Sequence, residues 1–445
     1  MFVGHLLSPV SSNAAGYLSQ FKLLTPVRLE LIVTLIQKIG RLIRHNPWLR
    51  GLPNEVAVLS LIAFFVAIGF GIVAPAIPVF ARSFGVSALA ASSVVSVFAF
   101  MRFASAPIAG LWVNRFGERI ILTVGLLLVS ISSFFAGLAE DFTYLLILRG
   151  AGGLGSTMFT VSAFTLLLRI VAPDQRGRAA AAFQGGFLVG GLAGPAVGGI
   201  VIAISLRAPF FVYSFSLLLA AAASAFFLNA HDKENMEIKE RSKVSASLKA
   251  FTNALKNKAY SAALSVNLAT GFVSFGIRSS IIPLFVVEEL KSSPSLIGLG
   301  FLATSVTQAI FLSYAGKSTD IKGRRPSMIF GTSVLFISIL VLVAFETPSG
   351  YLISMAIAGV GAAFMGAAPA AVIGDVTGGK KSGPVVAAFQ MTSDFGSIAG
   401  PIVAGALVDS LGFGWAFMTG AAVSLVAVFF SVLMPETKPK GEVKS

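Results

Sequence analysis

A chain of 445 residues of which 56% are hydrophobic and only 12% charged carries about half the charge of a soluble globular protein, for which roughly 25% is usual. Its net charge of +14 is no nucleic-acid footprint, because no basic stretch belongs to a soluble fold of recognisable type. With no cysteine and three histidines, disulfides and thiolate metal sites are excluded, an imidazole cluster has little scope, and neither metal nor cofactor is expected.

Residues 1–55 precede the first long apolar run. Their stretch "LELIVTLI" is too short and too far from the start for a signal peptide. Leu29, Val33, Ile36, Ile39 and Ile43 recur at helical spacing, with Arg28, Lys38, Arg41 and Arg44 on other faces. That pattern fits either a helix lying on an anionic leaflet or a poorly ordered extension.

Twelve apolar runs follow, at 56–80, 88–112, 119–138, 143–168, 179–204, 208–229, 259–287, 295–316, 326–346, 350–374, 383–408 and 412–434. A helix needs ~20 such residues to cross the hydrocarbon core. Barrel strands would be ~10-residue alternating segments, whereas these runs are longer and apolar on all sides. The expected fold is an all-α integral membrane protein of twelve transmembrane helices in two pseudo-symmetric six-helix bundles, at 56–229 and 259–434. Residues 230–258 between them, rich in Lys and Arg, read as a solvated linker, and 435–445 as a tail.

Among the 33 Lys and Arg residues, Arg102, Arg149 and Arg278 lie inside spans and Arg82, Arg207 and Lys291 on odd-numbered connections; the other 27 sit on the termini and even-numbered connections. The positive-inside rule then places both termini in the cytoplasm of a multi-pass protein of the cell membrane. Glu140, Asp141, Glu288, Glu289, Glu346 and Asp409 populate the opposite connections.

The halves repeat at an offset of 206 residues. "GLWVNRFGER" (110–119) aligns with "GKSTDIKGRR" (316–325), and "FQGGFLVGGLAGPAVGG" (183–199) with "FQMTSDFGSIAGPIVAG" (389–405). Gly153 and Gly155 meet Gly359 and Gly361 in the same way. Parallel repeats of this kind are one architecture of alternating access, with a substrate site near the midplane between the halves.

These motifs carry a resemblance to the major facilitator superfamily, in its twelve-span drug/proton antiporter-like branch. "GLWVNRFGER" looks like the family's signature between helices two and three, "LLILRGAGGLG" (145–155) like its Arg-bearing fourth helix, "GGLAGPAVGG" (190–199) like its fifth-helix antiporter signature, and "GFGIVAPAIP" (69–78) like a first-helix pattern. The resemblance implies a cavity lined by helices 1, 2, 4, 5, 7, 8, 10 and 11, and a monomer that suffices.

Gly190, Gly194 and Gly198 are spaced for tight helix contact, with Gly199 beside them, and Pro195 removes a backbone donor and bends the helix. The expectation is a fifth helix packed against the opposite half. In the signature loops, Asp320 can face the positive end of a helix in the other half, forming a latch when the cytoplasmic side is shut. Asn114, Arg115 and Arg119 are the first loop's share of this latch. The resemblance leads one to expect an acid where Asn114 stands, and Arg169 stands opposite Asp375, so the set Asp320, Asp375, Arg324 and Arg325 reads as complete only in the second half.

Ionisable side chains inside the membrane should face protein or water. Asp394, the only acid well inside a span, reads either as the proton carrier or as a structural ion-pair partner, with Arg278 as the candidate. The resemblance connects Arg149 with proton transfer; a packing role is the alternative. Arg102 could meet an anionic substrate group or neutralise carbonyls. Arg278 is also a candidate cavity residue, and Gln184, Gln308, Gln390 and Asn267 read as cavity contacts or as bridges between helices.

The leading functional expectation is a secondary transporter that exports small amphipathic or hydrophobic compounds against an inward flow of protons. No Gly-x-x-x-x-Gly-Lys-Ser/Thr loop is present for direct ATP coupling. Three arginines against one aspartate on the lining helices keep a metabolite or organic-anion transporter of the same superfamily open, and a membrane receptor or scaffold is the remaining alternative. Neither an ion-channel ring nor an enzyme's nucleophile–base constellation is present.

Overall fold

In a bilayer a segment that is apolar on every side satisfies its backbone as a helix, and the twelve runs do so. The computed structural model describes residues 51–172, 175–228, 256–377 and 383–438. The helical spacing read over 29–43 and nearly all of the linker lie outside them. The helices are α1 (Asn54–Arg82), α2 (Ala88–Phe116), α3 (Glu118–Gly137), α4 (Phe142–Ile170), α5 (Arg176–Ile204), α6 (Ala208–Phe227), α7 (Lys258–Glu288), α8 (Pro294–Ile321), α9 (Arg324–Ala344), α10 (Pro348–Thr377), α11 (Gly383–Leu411) and α12 (Phe413–Leu433). Their ends carry local signals: Ser87 and Asp141 accept from the backbone N–H three residues on, capping α2 and α4.

Three helices are irregular. α1 is interrupted at Ala74–Pro75, where Pro75 lacks a donor. α5 bends by 41° between Arg176–Pro195 and Val197–Ile204. α7 widens into a π-turn over Thr270–Ile277. The signature loops are sharp turns: Gly117 at φ +90° and Gly323 at φ +115° precede α3 and α9, in a region that side chains disfavour, which accounts for that glycine in both copies.

The repeat is a repeat of packing. In the first half α1 lies on α5 and α6, α3 on α4 and α6, and α2 on α4; in the second α7 lies on α11 and α12, α9 on α10 and α12, and α8 on α10. The halves meet where α2 touches α11 and α5 touches α8, two contacts equivalent under the offset, and where the ends of α1 and α7 meet. Two faces need names. The far face carries the α1–α2 turn and the other odd-numbered connections; the near face carries the even-numbered ones and both ends of the described chain.

The expectation for α5 holds for the helix, which touches α8, but not for most of its motif glycines. A Cβ on Gly190 would lie 2.5 Å from Phe64 O, one on Gly194 2.7 Å from Ile68 O, and one on Gly198 3.0 Å from Ile72 Cα. All three therefore face α1 of their own half, and Pro195 packs on Gly71 there too. Gly396 and Gly400 face α7 in the same manner. Within this motif the opposite half is met at Gly199, whose Cβ would lie 2.7 Å from Gly298 Cα on α8. Small-residue spacing defines a surface for close approach; it does not say which neighbour takes it.

At the near face the chain after α12 folds back on the second signature loop. Glu436 accepts from Arg324 N at 2.8 Å and Arg325 N at 3.1 Å, capping α9, while Thr437 Oγ1 donates to Asp375 at 3.0 Å. Partial burial opposes ionisation of Glu436, but backbone N–H donors from Lys438, Arg324, Arg325 and Thr437 outweigh it and hold the carboxyl below its ordinary 4.5. The depressed value means that this cap is fully present above pH 4.5 and is lost as the pH falls through the carboxyl's own lower pKa.

Candidate functional site

The interface between the halves is held at the far face. Opposite the Gly199–Gly298 contact, a Cβ on Gly405 of α11 would lie 2.8 Å from Leu89 Cα on α2. Ser92 and Ser96 of α2 donate to Pro401 O at 2.8 Å and Ile398 O at 2.7 Å. Asp409 of α11 accepts from Ala88 N at 2.8 Å and Leu89 N at 2.9 Å, so an acid from one half sits on the positive helix end of the other. Arg82 and Glu288, at equivalent positions in the repeat, pair at 2.6 Å.

The near-face charges behave differently. Asp320 is 73% exposed, and its ion pair, at 3.2 Å, is to Arg324 of its own half. Arg324 also pairs with Asp375 at 2.9 Å, and Arg325 donates to Val432 O at 2.7 Å. In the first half Arg119 donates to Ala225 O and Arg115 lies over the Phe116 ring at 5.4 Å; Asn114, at the position equivalent to Asp320, is exposed. The far face is thus shut, and among the described residues Asp320 is not engaged across the interface.

The first half is not missing its ionic pair, as the sequence suggested. Glu118 and Arg169 pair at 3.0 Å, and under the offset they stand where Arg324 and Asp375 stand. The pair is kept with its signs exchanged. Glu118 is 6% exposed, so removing its charge leaves Arg169 without this partner in a half-buried site. Glu118→Gln is expected to cost about 1–3 kcal/mol. The double exchange Glu118→Arg with Arg169→Asp should recover most of it, since the second half already accommodates that polarity in the same register. Thermal unfolding of the purified protein in detergent checks both values, and no recovery would mean that the two sites are not equivalent.

Two charges lie midway along the helices that meet at the interface. Arg102 lies on α2 and Asp394 on α11, helices in contact across the interface, and Arg102 is the arginine whose charge acts on Asp394. Neither side chain forms a hydrogen bond or ion pair among the described residues. Asn267, on α7, donates to Phe389 O of α11 at 2.5 Å, so it bridges helices beside this site. The π-turn of α7 lies on the same stretch: a Cβ on Gly271 would meet Ser393 C at 2.8 Å. Gln184 and Gln390, equivalent under the offset, are both exposed, and Gln308 is half-buried. An amide so placed within a membrane helix calls for water or a polar ligand beside it.

The other two arginines turn away from Asp394. Arg149 is 2% exposed, its guanidinium 4.4 Å from the centroid of the Phe98 ring, with Tyr213 of α6 facing the same charge. This places it inside the first half among α2, α4 and α6, held by cation–π attraction. Arg278 lines a cavity inside the second half with residues of α9, α10 and α12. Arg278 therefore neither pairs with Asp394 nor lines the interface between the halves, and the arginine whose charge acts on Asp394 from the other half is Arg102, with no ion pair formed among the described residues.

Sequence reasoning passed over Arg82, Glu118, Glu288, Gly298 and Gly405 as partners. The offset held the signal in each case: 82 with 288, 118 with 324 and 92 with 298 are all equivalent positions. The π-turn had no comparable signal.

Two matched six-helix units, shut against each other at one face and meeting around charged side chains at mid-depth, define a membrane transporter. The chain belongs to the Major Facilitator Superfamily, whose family model matches residues 59–278 and 264–445. It is 29% identical over 373 residues to "Multidrug resistance protein 1" of Bacillus subtilis (strain 168), covering 80% of this chain and 90% of that protein. It is 24% identical over 365 residues to "Quinolone resistance protein NorA" of Staphylococcus aureus, with the same coverage. Among solved structures it is similar to a bacterial homologue of the human lysosomal transporter Spinster in an inward-facing and occupied conformation, with TM-score 0.67, 15% identity and coverage of 85% and 96%. A D-xylose-proton symporter gives TM-score 0.67 at 17% identity, with coverage of 87% and 99%.

Proposed function

We propose that this transporter exports small amphipathic compounds in exchange for protons, with Asp394 as the residue that takes up and releases the proton. The observation that carries the reading is the placement of Asp394 and Arg102 at mid-depth on the two helices that must part when the far face opens. An acid held in permanent ion pairing could not cycle, and Asp394 has no such pair among the described residues. The names of the relatives support the export of drug-like compounds. The far face is read as external and the near face as cytoplasmic, following the distribution of Lys and Arg. Gln184, Gln308, Gln390 and Arg102 are the groups that would meet the substrate, while Asp320, Arg115 and Arg119 would latch the near face when the far face opens.

Flux in proteoliposomes with an imposed pH gradient, over a panel of dyes, antibiotics and organic anions, tests this reading. Transport of amphipathic dyes that collapses when the gradient is dissipated is the expected result. Gradient-independent flux would remove proton exchange, transport confined to organic anions would favour that substrate class, and no flux for any compound would favour a receptor or scaffold.

A further inference from the structure

The cavity beside Arg278 is separate from the interface. It has a volume of about 30 Å³ and is lined from α7, α9, α10 and α12 of one half by Arg278, Ser274, Ser338, Ser354, Met355 and Phe417, among others. Only ~10–15 Å³ of such space is needed for a water molecule, so the cavity takes one small ion or a water or two, and no drug-sized molecule or lipid chain.

Its walls carry no negative charge: no Asp or Glu lines it. Nε and Nη1 of Arg278 are buried without a hydrogen-bond partner, and no carboxylate forms an ion pair with Arg278 among the described residues. A guanidinium does not lose its proton in a protein, and an uncompensated buried charge is costly. Ser338 and Ser354 already donate to Leu335 O and Ser338 O, both at 2.6 Å, and Tyr351 donates to Ile297 O at 3.1 Å. Ser274, 5% exposed, has no hydrogen bond among the described residues. It stands four residues before Arg278, in the π-turn, and both line the cavity. The protons of Ser338 and Ser354 are thus spent, and the donors left over are Nε and Nη1 of Arg278 and the Ser274 hydroxyl. A water would answer their hydrogen bonds and leave the charge.

We propose that this cavity binds a single halide-sized anion, chloride being the expected occupant, as the counter-ion of Arg278. The ion is structural: the helices around it belong to one half, so it stays in place while the halves rock.

The full-length protein in detergent is unfolded by heat at constant ionic strength while chloride replaces gluconate. A saturable upward shift of Tm is expected for the wild type. Arg278→Met should abolish the shift, and Ser274→Ala should raise the half-saturating chloride concentration several-fold, which keeps the test decisive if the arginine variant fails to fold. Bromide-grown crystals should show an anomalous peak within hydrogen-bond distance of Arg278 Nε or Nη1. A Tm indifferent to chloride, a shift unchanged by both substitutions, or a cavity holding only water would overturn the proposal.

Discussion

Asp394→Asn is expected to bring pH-gradient-driven export down to the level of protein-free liposomes while substrate exchange without a gradient continues. The amide keeps the size of the side chain and most of its hydrogen-bonding capacity, but it cannot carry a proton, so uphill movement fails and the rocking of the halves does not. The competing account makes Asp394 only a counter-charge for Arg102. A charge inside a membrane helix costs at least ~2.5–3.5 kcal/mol on insertion scales, so in that account Asp394→Asn harms the fold, and adding Arg102→Gln should relieve the harm and restore driven export. If Asp394 carries the proton, the double variant stays uncoupled. Side-by-side gradient-driven and exchange assays on the single and double variants separate the two accounts, and recovery of driven export in the double variant would remove Asp394 as carrier.

Gly298→Ala should have a comparably large effect through a different route. A single methyl group there enters the backbone of Gly199, and the α5–α8 contact that shuts the far face cannot form as it stands. Overpacking of this kind costs typically ~1–3 kcal/mol, and a closed state weakened by that much loses about 5- to 150-fold in population relative to the open one. Because the chain has no cysteine, Ser92→Cys supplies a single reporter without background. Ser92 is buried in the equivalent contact between α2 and α11, so a membrane-impermeant maleimide reaches it only when the far face parts. Labelling should accelerate roughly 10-fold in Gly298→Ala and stay unchanged in Gly191→Ala, a change on α5 that meets open space. Equal rates in both would mean that the glycine contact does not hold the face shut.

The twelve helices were legible because crossing a bilayer demands length and apolarity, and both are properties of the sequence alone. The observed ends lie within a few residues of the expected ones, the largest extension being α8, which runs on to Ile321 because its signature loop turns only at Gly323. Azimuth was not legible. Arg278 and Asp394 both sit on helices that the resemblance assigns to the cavity, yet Arg278 faces the interior of its own half, and the π-turn immediately before it alters the helical register that spacing arguments assume. Partnership was only half legible. Like residues at equivalent positions mark the signature loops, but Glu118 with Arg169 matches Arg324 with Asp375 in geometry and not in sign, so residue identity does not reveal it.

One pair has a consequence for how such a molecule holds together. Arg82 and Glu288 occupy the same place in their respective repeats and yet touch, which happens only beside the pseudo-symmetry axis. Two copies of the first half brought together in this way would set arginine against arginine there, and two copies of the second would set glutamate against glutamate. Neutrality at the axis is reached only by the mixed assembly, so this junction discriminates against self-association of either lobe and favours union with its dissimilar twin.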